Sequence, residues 1–272
     1  ACRSVGDDGD AVLTLSPIYP PFLSSPKNSC RALITVPLSE TNQRWEIDFD
    51  QLEKAIAPKT RLLLLCNPHN PVGRVFTRVE LTRLAQICER HDLMICSDEI
   101  HADLVLDASC QHVPIATISP EIAARTITLH APSKTFNIPG LGASFAVISD
   151  PGLRTRFKQT MAGIVPHVNL FGFTAALAAY RDSHDWHREL LDYLRANRDL
   201  VVDAVQDMPG MKVNHVEATS LSWLDARDTG LENPAAFFEA AGVGLSDGTE
   251  FMDPGFLRLN FGCPRSLLQE AL

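Results

Sequence analysis

Two apolar runs, "RLLLLCNP" (61–68) and "LMICSDE" (93–99), bracket a segment of different character, "TRVELTRLAQICERHD" (77–92). Neither run alternates apolar with polar residues, so both faces of each strand must be covered, as in a parallel sheet lying under helices. The intervening segment opens on Thr77 with Glu80 three residues on, a capping-box pair, and then keeps its apolar residues in helical register. Strand, helix, strand in this order requires a crossover connection and predicts an α/β sheet with helices on its faces. Further β-rich runs at 11–17, 30–38, 125–132 and 144–149 extend that sheet, and a helical pattern at 48–58 begins at a capping Asp48.

After residue 150 the texture changes. Helical segments cover 151–163, 168–183 and 185–208, and the tail from Met211 alternates short strands ("MKVNHV", "TSLSWLDA", "FLRLNFG") with one helix, "NPAAFFEAAG". That pattern predicts a smaller α+β unit. The chain begins at Ala1 and stops inside an amphipathic helix, "RSLLQEAL", so both ends are expected to be cut from a longer protein.

Charge and cysteine content narrow the partners. A net charge of −9 with no lysine-arginine run argues against nucleic acid or an anionic membrane. No apolar run approaches a membrane span, and no signal peptide is visible. The seven cysteines are odd in number and scattered, with no CxxC pair. No metal site is expected, and a reducing cytoplasm is the natural compartment.

Ligands in open α/β sheets gather outside the carboxyl ends of the strands. Each such end here carries a distinctive group: Ser16-Pro17-Ile18-Tyr19, Asn67-Pro68-His69-Asn70-Pro71-Val72-Gly73, Asp98-Glu99-Ile100-His101 and Ser133-Lys134. Singly, each has an ordinary structural explanation: packing for Tyr19, an Asx-turn for Asn70, a helix cap for Asp98, a surface histidine, a loop lysine. Burying the Lys134 ammonium between strands would cost several kcal/mol unless it is paired or neutralised. Together the groups form a chemical set. A lysine amine condenses with a carbonyl, a carboxylate keeps a pyridine nitrogen protonated, an aromatic ring stacks, and an amide and an imidazole reach a phenolic oxygen. Those are the requirements of pyridoxal phosphate.

The stretches "SPIYPPF", "LLLCNPHNPVGRVFTRVEL", "SDEIHADLV", "APSKTFNIPGL", "EATSLSWLD" and "FLRLNFGCPRSLL" resemble, in order and over nearly the whole chain, the class I/II aminotransferase-like, fold-type I pyridoxal-phosphate enzymes. The resemblance is nearest to the cystathionine β-lyase (C–S lyase) branch. It implies a three-layer α/β large domain with a mainly parallel sheet over residues 1–175, and connecting helices with a small α+β domain over 176–272. Lys134 resembles the Schiff-base lysine and Asp98 the partner of the pyridine nitrogen. Asn70 and His101 resemble the pair near the phenolic oxygen, where many relatives have tyrosine in place of His101. Tyr19 resembles the stacking aromatic, Ser133 a phosphate contact, and Arg258 the arginine that grips the substrate α-carboxylate. Cis peptides at Ser16-Pro17 and Asn70-Pro71 are implied as well. Two positions depart from the family. Gly142 stands where typical aminotransferases have an arginine against the phosphate, and Ala131 stands where many relatives have a serine. The glycine fits the C–S lyase branch, and the main phosphate-binding loop is expected upstream of Ala1.

The activity implied is cleavage of cystathionine or related cysteine S-conjugates to a thiol, pyruvate and ammonia. An aminotransferase on the same fold, and a truncated protein retained for partner binding without activity, are the alternatives. The implied partners are a small amino-acid substrate and a second copy of the chain in a homodimer.

Overall fold

The structure, a computed structural model, describes residues 1–41 and 43–272. Its strands are β1 (Ala11–Ser16), β2 (Ala32–Pro37), β3 (Ser39–Thr41), β4 (Arg44–Glu46), β5 (Thr60–Cys66), β6 (Met94–Asp98), β7 (Thr126–His130), β8 (Phe145–Val147), β9 (Lys212–Val213), β10 (Leu221–Asp225), β11 (Ser246–Asp247) and β12 (Phe256–Asn260). The helices are α1 (Pro20–Asn28), α2 (Phe49–Ala55), α3 (Arg78–Arg90), α4 (Pro120–Ala124), α5 (Pro151–Met161), α6 (Leu170–Asp182), α7 (His184–Gln206), α8 (Pro234–Ala240) and α9 (Arg265–Ala271).

Six strands form one sheet in the order β2-β1-β5-β6-β7-β8. The first five are parallel, and β8 runs antiparallel to β7 at the edge. The apolar run of β5 divides between the two faces as strand alternation requires. Leu63 and Leu65 join a core with Leu81, Leu84, Ile87 and Cys88 of α3, while Leu62, Leu64 and Cys66 join another with Phe22 of α1 and Leu153 of α5. Full burial of each such leucine stabilises the fold by roughly 1.5–3 kcal/mol. Helix entry points follow the local chemistry. Asp48 accepts from the Asp50 and Gln51 N–H groups, and Thr77 and Glu80 close a reciprocal capping box.

One helix has no signal in the sequence pattern. Residues 20–28, "PPFLSSPKN", are rich in breakers, yet they form α1. Pro20 and Pro21 occupy the first turn, where the missing N–H has no intrahelical partner to lose. The hairpin of β3 and β4 was also not expected. The first ten residues form turns and bends without helix.

The second sheet, β11-β12-β10-β9, is antiparallel. Leu257 and Leu259 of β12 pack with Leu194, Val201 and Val205 of α7, whereas Phe256 turns the other way and joins Trp45 and Trp223 in the core of the first sheet. Alternation therefore sends Arg258 to the Phe256 side, toward the first sheet. Leu104 and Leu106, from the loop after β6, pack in return into the α7 core. The two sheets are thus joined by interleaved apolar contacts. Among the described residues, no helix is long and apolar enough to cross a membrane.

Candidate active site

Tyr19 follows β1 and is the N-cap residue of α1. Its ring packs partly buried between two apolar cores and lines a cavity of 580 Å³. Asp98, the last residue of β6, lines the same cavity. The only hydrogen bond the Asp98 carboxylate accepts among the described residues comes from the Ile100 N–H at 3.3 Å. Burial is the chief reason its carboxyl is pushed up to about 6; the neighbouring Glu99 adds to the shift, and the Lys134 ammonium opposes it. A carboxyl in this state is poorly served as a helix cap and well placed for a partner that carries a positive charge.

Lys134 lies in a turn between β7 and β8 and is exposed. The burial anticipated between strands does not occur, so no desolvation cost arises. With Ser133 it lines a second cavity, of 500 Å³, walled by Trp186 and Tyr193 of α7 and by Ser220 and Asn260. Lys134 and Asp98 therefore line two different cavities rather than one. No carboxylate lies within 4.0 Å of Lys134 Nζ among the described residues, yet its charge reaches both Asp98 and His101.

His101 is almost fully buried, and its Nδ1 has no hydrogen-bond partner among the described residues. Burial first, then the Lys134 and Arg258 charges, push its imidazole down to about 3, so the ring is neutral. Asn70 is buried too, and its Oδ1 accepts from Arg258 Nη1 at 3.1 Å instead of closing an Asx-turn. The Arg258 guanidinium also donates to Ser246 Oγ at 3.2 Å and lies over the Phe251 ring at 4.7 Å. It has no carboxylate within 4.0 Å among the described residues, so it is not spent on a surface ion pair. Ser16-Pro17 and Asn70-Pro71 are cis, and Asn67-Pro68 is cis as well.

Tyr19 and Asp98 thus share one cavity, Ser133 and Lys134 share another, Asn70 contacts Arg258, and His101 lies under the charge of both Lys134 and Arg258. An underpartnered carboxyl, an unpartnered imidazole nitrogen and a free ammonium make a donor set that fits a planar ring bearing a basic nitrogen, an oxygen and a carbonyl. Gly142 has φ +62° and open space where a side chain would begin.

Two residues of this region carried no assignable signal in the sequence. His69, inside "NPHNP", places Nε2 2.8 Å from the Pro17 carbonyl and Nδ1 3.2 Å from the Cys66 carbonyl. It ties the Tyr19 loop to the Asn70 loop. Glu99, beside Asp98, is fully buried; it accepts from Ser97 Oγ at 2.8 Å and pairs with His112 Nε2 at 2.9 Å. A histidine between two prolines marks the first only once its partners are known.

Residues 1–272 match the family described as aminotransferase class I and II. The chain belongs to that family. It is 35% identical over 280 residues to cystathionine beta-lyase PatB of Bacillus subtilis (strain 168), which covers all of this chain and 72% of PatB. The crystal structure of OvoB superposes with a TM-score of 0.97 at 47% identity, over 100% of this chain and 72% of OvoB. Cystalysin from Treponema denticola, whose crystal structure contains pyridoxal 5'-phosphate, superposes at 0.93 with 35% identity, over 98% of this chain and 69% of cystalysin. The mostly parallel sheet under helices is the fold-type I arrangement that the sequence resemblance implied.

Proposed function

We propose that the protein is a pyridoxal-phosphate-dependent C–S lyase that cleaves cystathionine or related cysteine S-conjugates to a thiol, pyruvate and ammonia. The observation that carries the reading is the Arg258–Asn70 hydrogen bond, which brings β12 to the loop after β5, in a chain similar to PatB and cystalysin; the Lys134 charge felt at Asp98 and His101 supports it. Bound pyridoxal phosphate would supply an electron sink for the substrate's α-carbon. The Asp98 carboxylate would hold a proton at the ring nitrogen, and Tyr19 would stack on the ring. Asn70 and His101 would approach its oxygen, with His101 neutral and free at Nδ1, and Ser133 would contact the phosphate. Arg258 would grip the substrate α-carboxylate with a planar fork that a lysine lacks. Lys134 Nζ, exposed and unpaired with any carboxylate among the described residues, would take the proton from the substrate's α-carbon.

Residues 1–175 would serve as the cofactor-binding unit and 176–272 as the connecting helices and small unit. The apolar side chains of Leu170, Phe171 and Phe173, each more than 60% exposed, offer a face for a second copy and support a homodimer. All seven cysteines are free, which supports a cytoplasmic location.

The test is incubation of the purified protein with cystathionine and pyridoxal phosphate, without any keto acid. Pyruvate and thiol released in equal amounts are the expected result. Turnover that starts only when a keto-acid acceptor is added would make the protein an aminotransferase.

A further inference from the structure

The loop that carries Asn70 is fixed by Glu217, a residue ahead of β10 that touches none of the groups above. Its side chain is almost wholly buried. Oε2 accepts the Val75 N–H at 2.7 Å and lies 3.2 Å from Arg74 Nε, while Oε1 accepts from Arg44 Nε at 3.0 Å. Arg74 is buried in turn; its remaining nitrogens reach the Trp45 carbonyl at 2.7 Å and the Glu80 carboxylate at 2.7 and 2.9 Å. Two carboxylates thus balance two guanidiniums, which a buried cluster of this kind requires.

The backbone repeats the connection. The N–H groups of Glu217 and Ala218 both donate to the Gly73 carbonyl, at 3.0 and 2.9 Å, and Asn214 Nδ2 donates to the Val72 carbonyl at 2.7 Å. Gly73 has φ +69°, and a Cβ there would meet Val216 Cγ1 at 2.9 Å, so the approach admits only glycine. From Glu217 the chain passes into β10, where Trp223 pairs with Arg258 of β12. Arg258 then reaches back to Asn70. The path closes on itself: Asn70 loop, Glu217, β10, β12, Arg258, Asn70.

We propose that Glu217 is a positioning residue for recognition of the substrate α-carboxylate, because it holds the Asn70 loop in the register at which Asn70 Oδ1 orients the Arg258 guanidinium. The inference rests on the reading of Arg258 as the carboxylate-binding group. A carboxylate that accepts from a backbone N–H and from Arg44, with the Arg74 guanidinium paired to it by charge, fixes the loop in direction as well as distance. A neutral amide of the same shape keeps the volume but weakens both charged contacts.

The test measures how strongly the pyridoxal-phosphate-loaded protein prefers an amine with a carboxylate to one without. L-alanine and ethylamine are titrated by calorimetry, and the ratio of their affinities is compared among variants. Arg258→Lys is expected to lower the ratio about 10-fold or more, and Glu217→Gln about 5- to 10-fold, since each loses an aligned charged hydrogen bond. Arg44→Gln, which removes only the outer contact to Glu217, is expected to lower the ratio about 2-fold and serves as the deciding variant if Glu217→Gln does not fold. A Glu217→Gln protein with a lower melting temperature but an unchanged ratio, where Arg258→Lys has lowered it, overturns the role of Glu217 alone. An unchanged ratio in Arg258→Lys overturns the carboxylate reading of Arg258 and this inference with it.

Discussion

Arg258 Nη1 donates to Asn70 Oδ1 across 3.1 Å, although 188 residues of chain separate them. The contact joins β12 of the second sheet to the loop that leaves β5 of the first. It also uses one edge of the guanidinium, and the Ser246 hydroxyl, a weak neutral partner, holds another nitrogen. An arginine fixed in this way, with no carboxylate within 4.0 Å among the described residues, is prepared for an anion it does not yet hold.

Arg258→Lys should therefore raise KM for amino-acid substrates about 10- to 100-fold, the loss of a charge-assisted bidentate contact, with a smaller change in kcat. Steady-state kinetics with cystathionine measures both. An unchanged KM would place the carboxylate contact elsewhere.

Asp98→Asn should separate stability from function. In the cofactor-free protein the Asp98 carboxyl is pushed up to about 6 from an ordinary 3.8, chiefly by burial. The folded state thus binds this proton more tightly than the unfolded state, so stability falls as pH rises from 3.8 through 6. The amide has no such charge to bury. Without cofactor, Asp98→Asn should match the parent near pH 4 and exceed it by about 1–3 kcal/mol at pH 8. Denaturant melts at the two pH values check this, and a gap that stays constant with pH would count against it. The same change should cripple pyruvate release, because a neutral amide cannot hold a proton at a ring nitrogen.

Lys134→Ala should show the opposite division. The side chain is exposed in a turn, so its removal should change stability by less than about 0.5 kcal/mol. Pyruvate release should nevertheless vanish, along with the visible absorbance that pyridoxal phosphate gives when joined to a lysine. An unaltered spectrum would assign the reactive amine to another residue.

The frame of the sheet was legible because β5 and β6 are apolar on both faces and α3 announces itself with Thr77 and Glu80. Tyr19, Asn70, Asp98, His101 and Lys134 stood out as candidates because each lies at or just past the carboxyl end of a strand, whereas Arg258, inside β12, stood out only through the family resemblance. What joins them was not legible. Nothing local tells Asn70 that its partner is Arg258, or His69 that its partner is the Pro17 carbonyl. These contacts depend on how two sheets interleave through Trp223, Phe256 and Leu104. The helix α1 was hidden because its segment carries three prolines, of which Pro20 and Pro21 are harmless in the first turn while Pro26 lies inside the helix. Glu217 stood in plain view within "EATSLSWLD", but its importance lies in Arg74 and Val75, 143 and 142 positions away.

Acid should expose the two buried histidines. His69 is held down to about 4, with burial as the first cause, and His101 to about 3, by burial and then by the charges of Lys134 and Arg258. Both are ordinary histidines near 6.5 once unfolded. The unfolded state therefore binds the extra protons, and the stability these rings contribute is complete above 6.5 and is lost as pH falls toward 4. By pH 4.5 each should have cost about 2–3 kcal/mol relative to pH 7. Asp98 works in the other direction over 6 to 3.8 and offsets about 2 kcal/mol, so the net loss should be about 3 kcal/mol. Substitution isolates one member of the set. His69→Gln retains a donor for the Pro17 carbonyl but cannot be protonated. It should be less stable than the parent at pH 7, where the imidazole packs best, and the difference should shrink by about 2 kcal/mol by pH 4.5. Parallel denaturant titrations of the two proteins at both pH values give the comparison. If the difference between them does not depend on pH, then His69 is not the buried neutral group that links the Tyr19 and Asn70 loops.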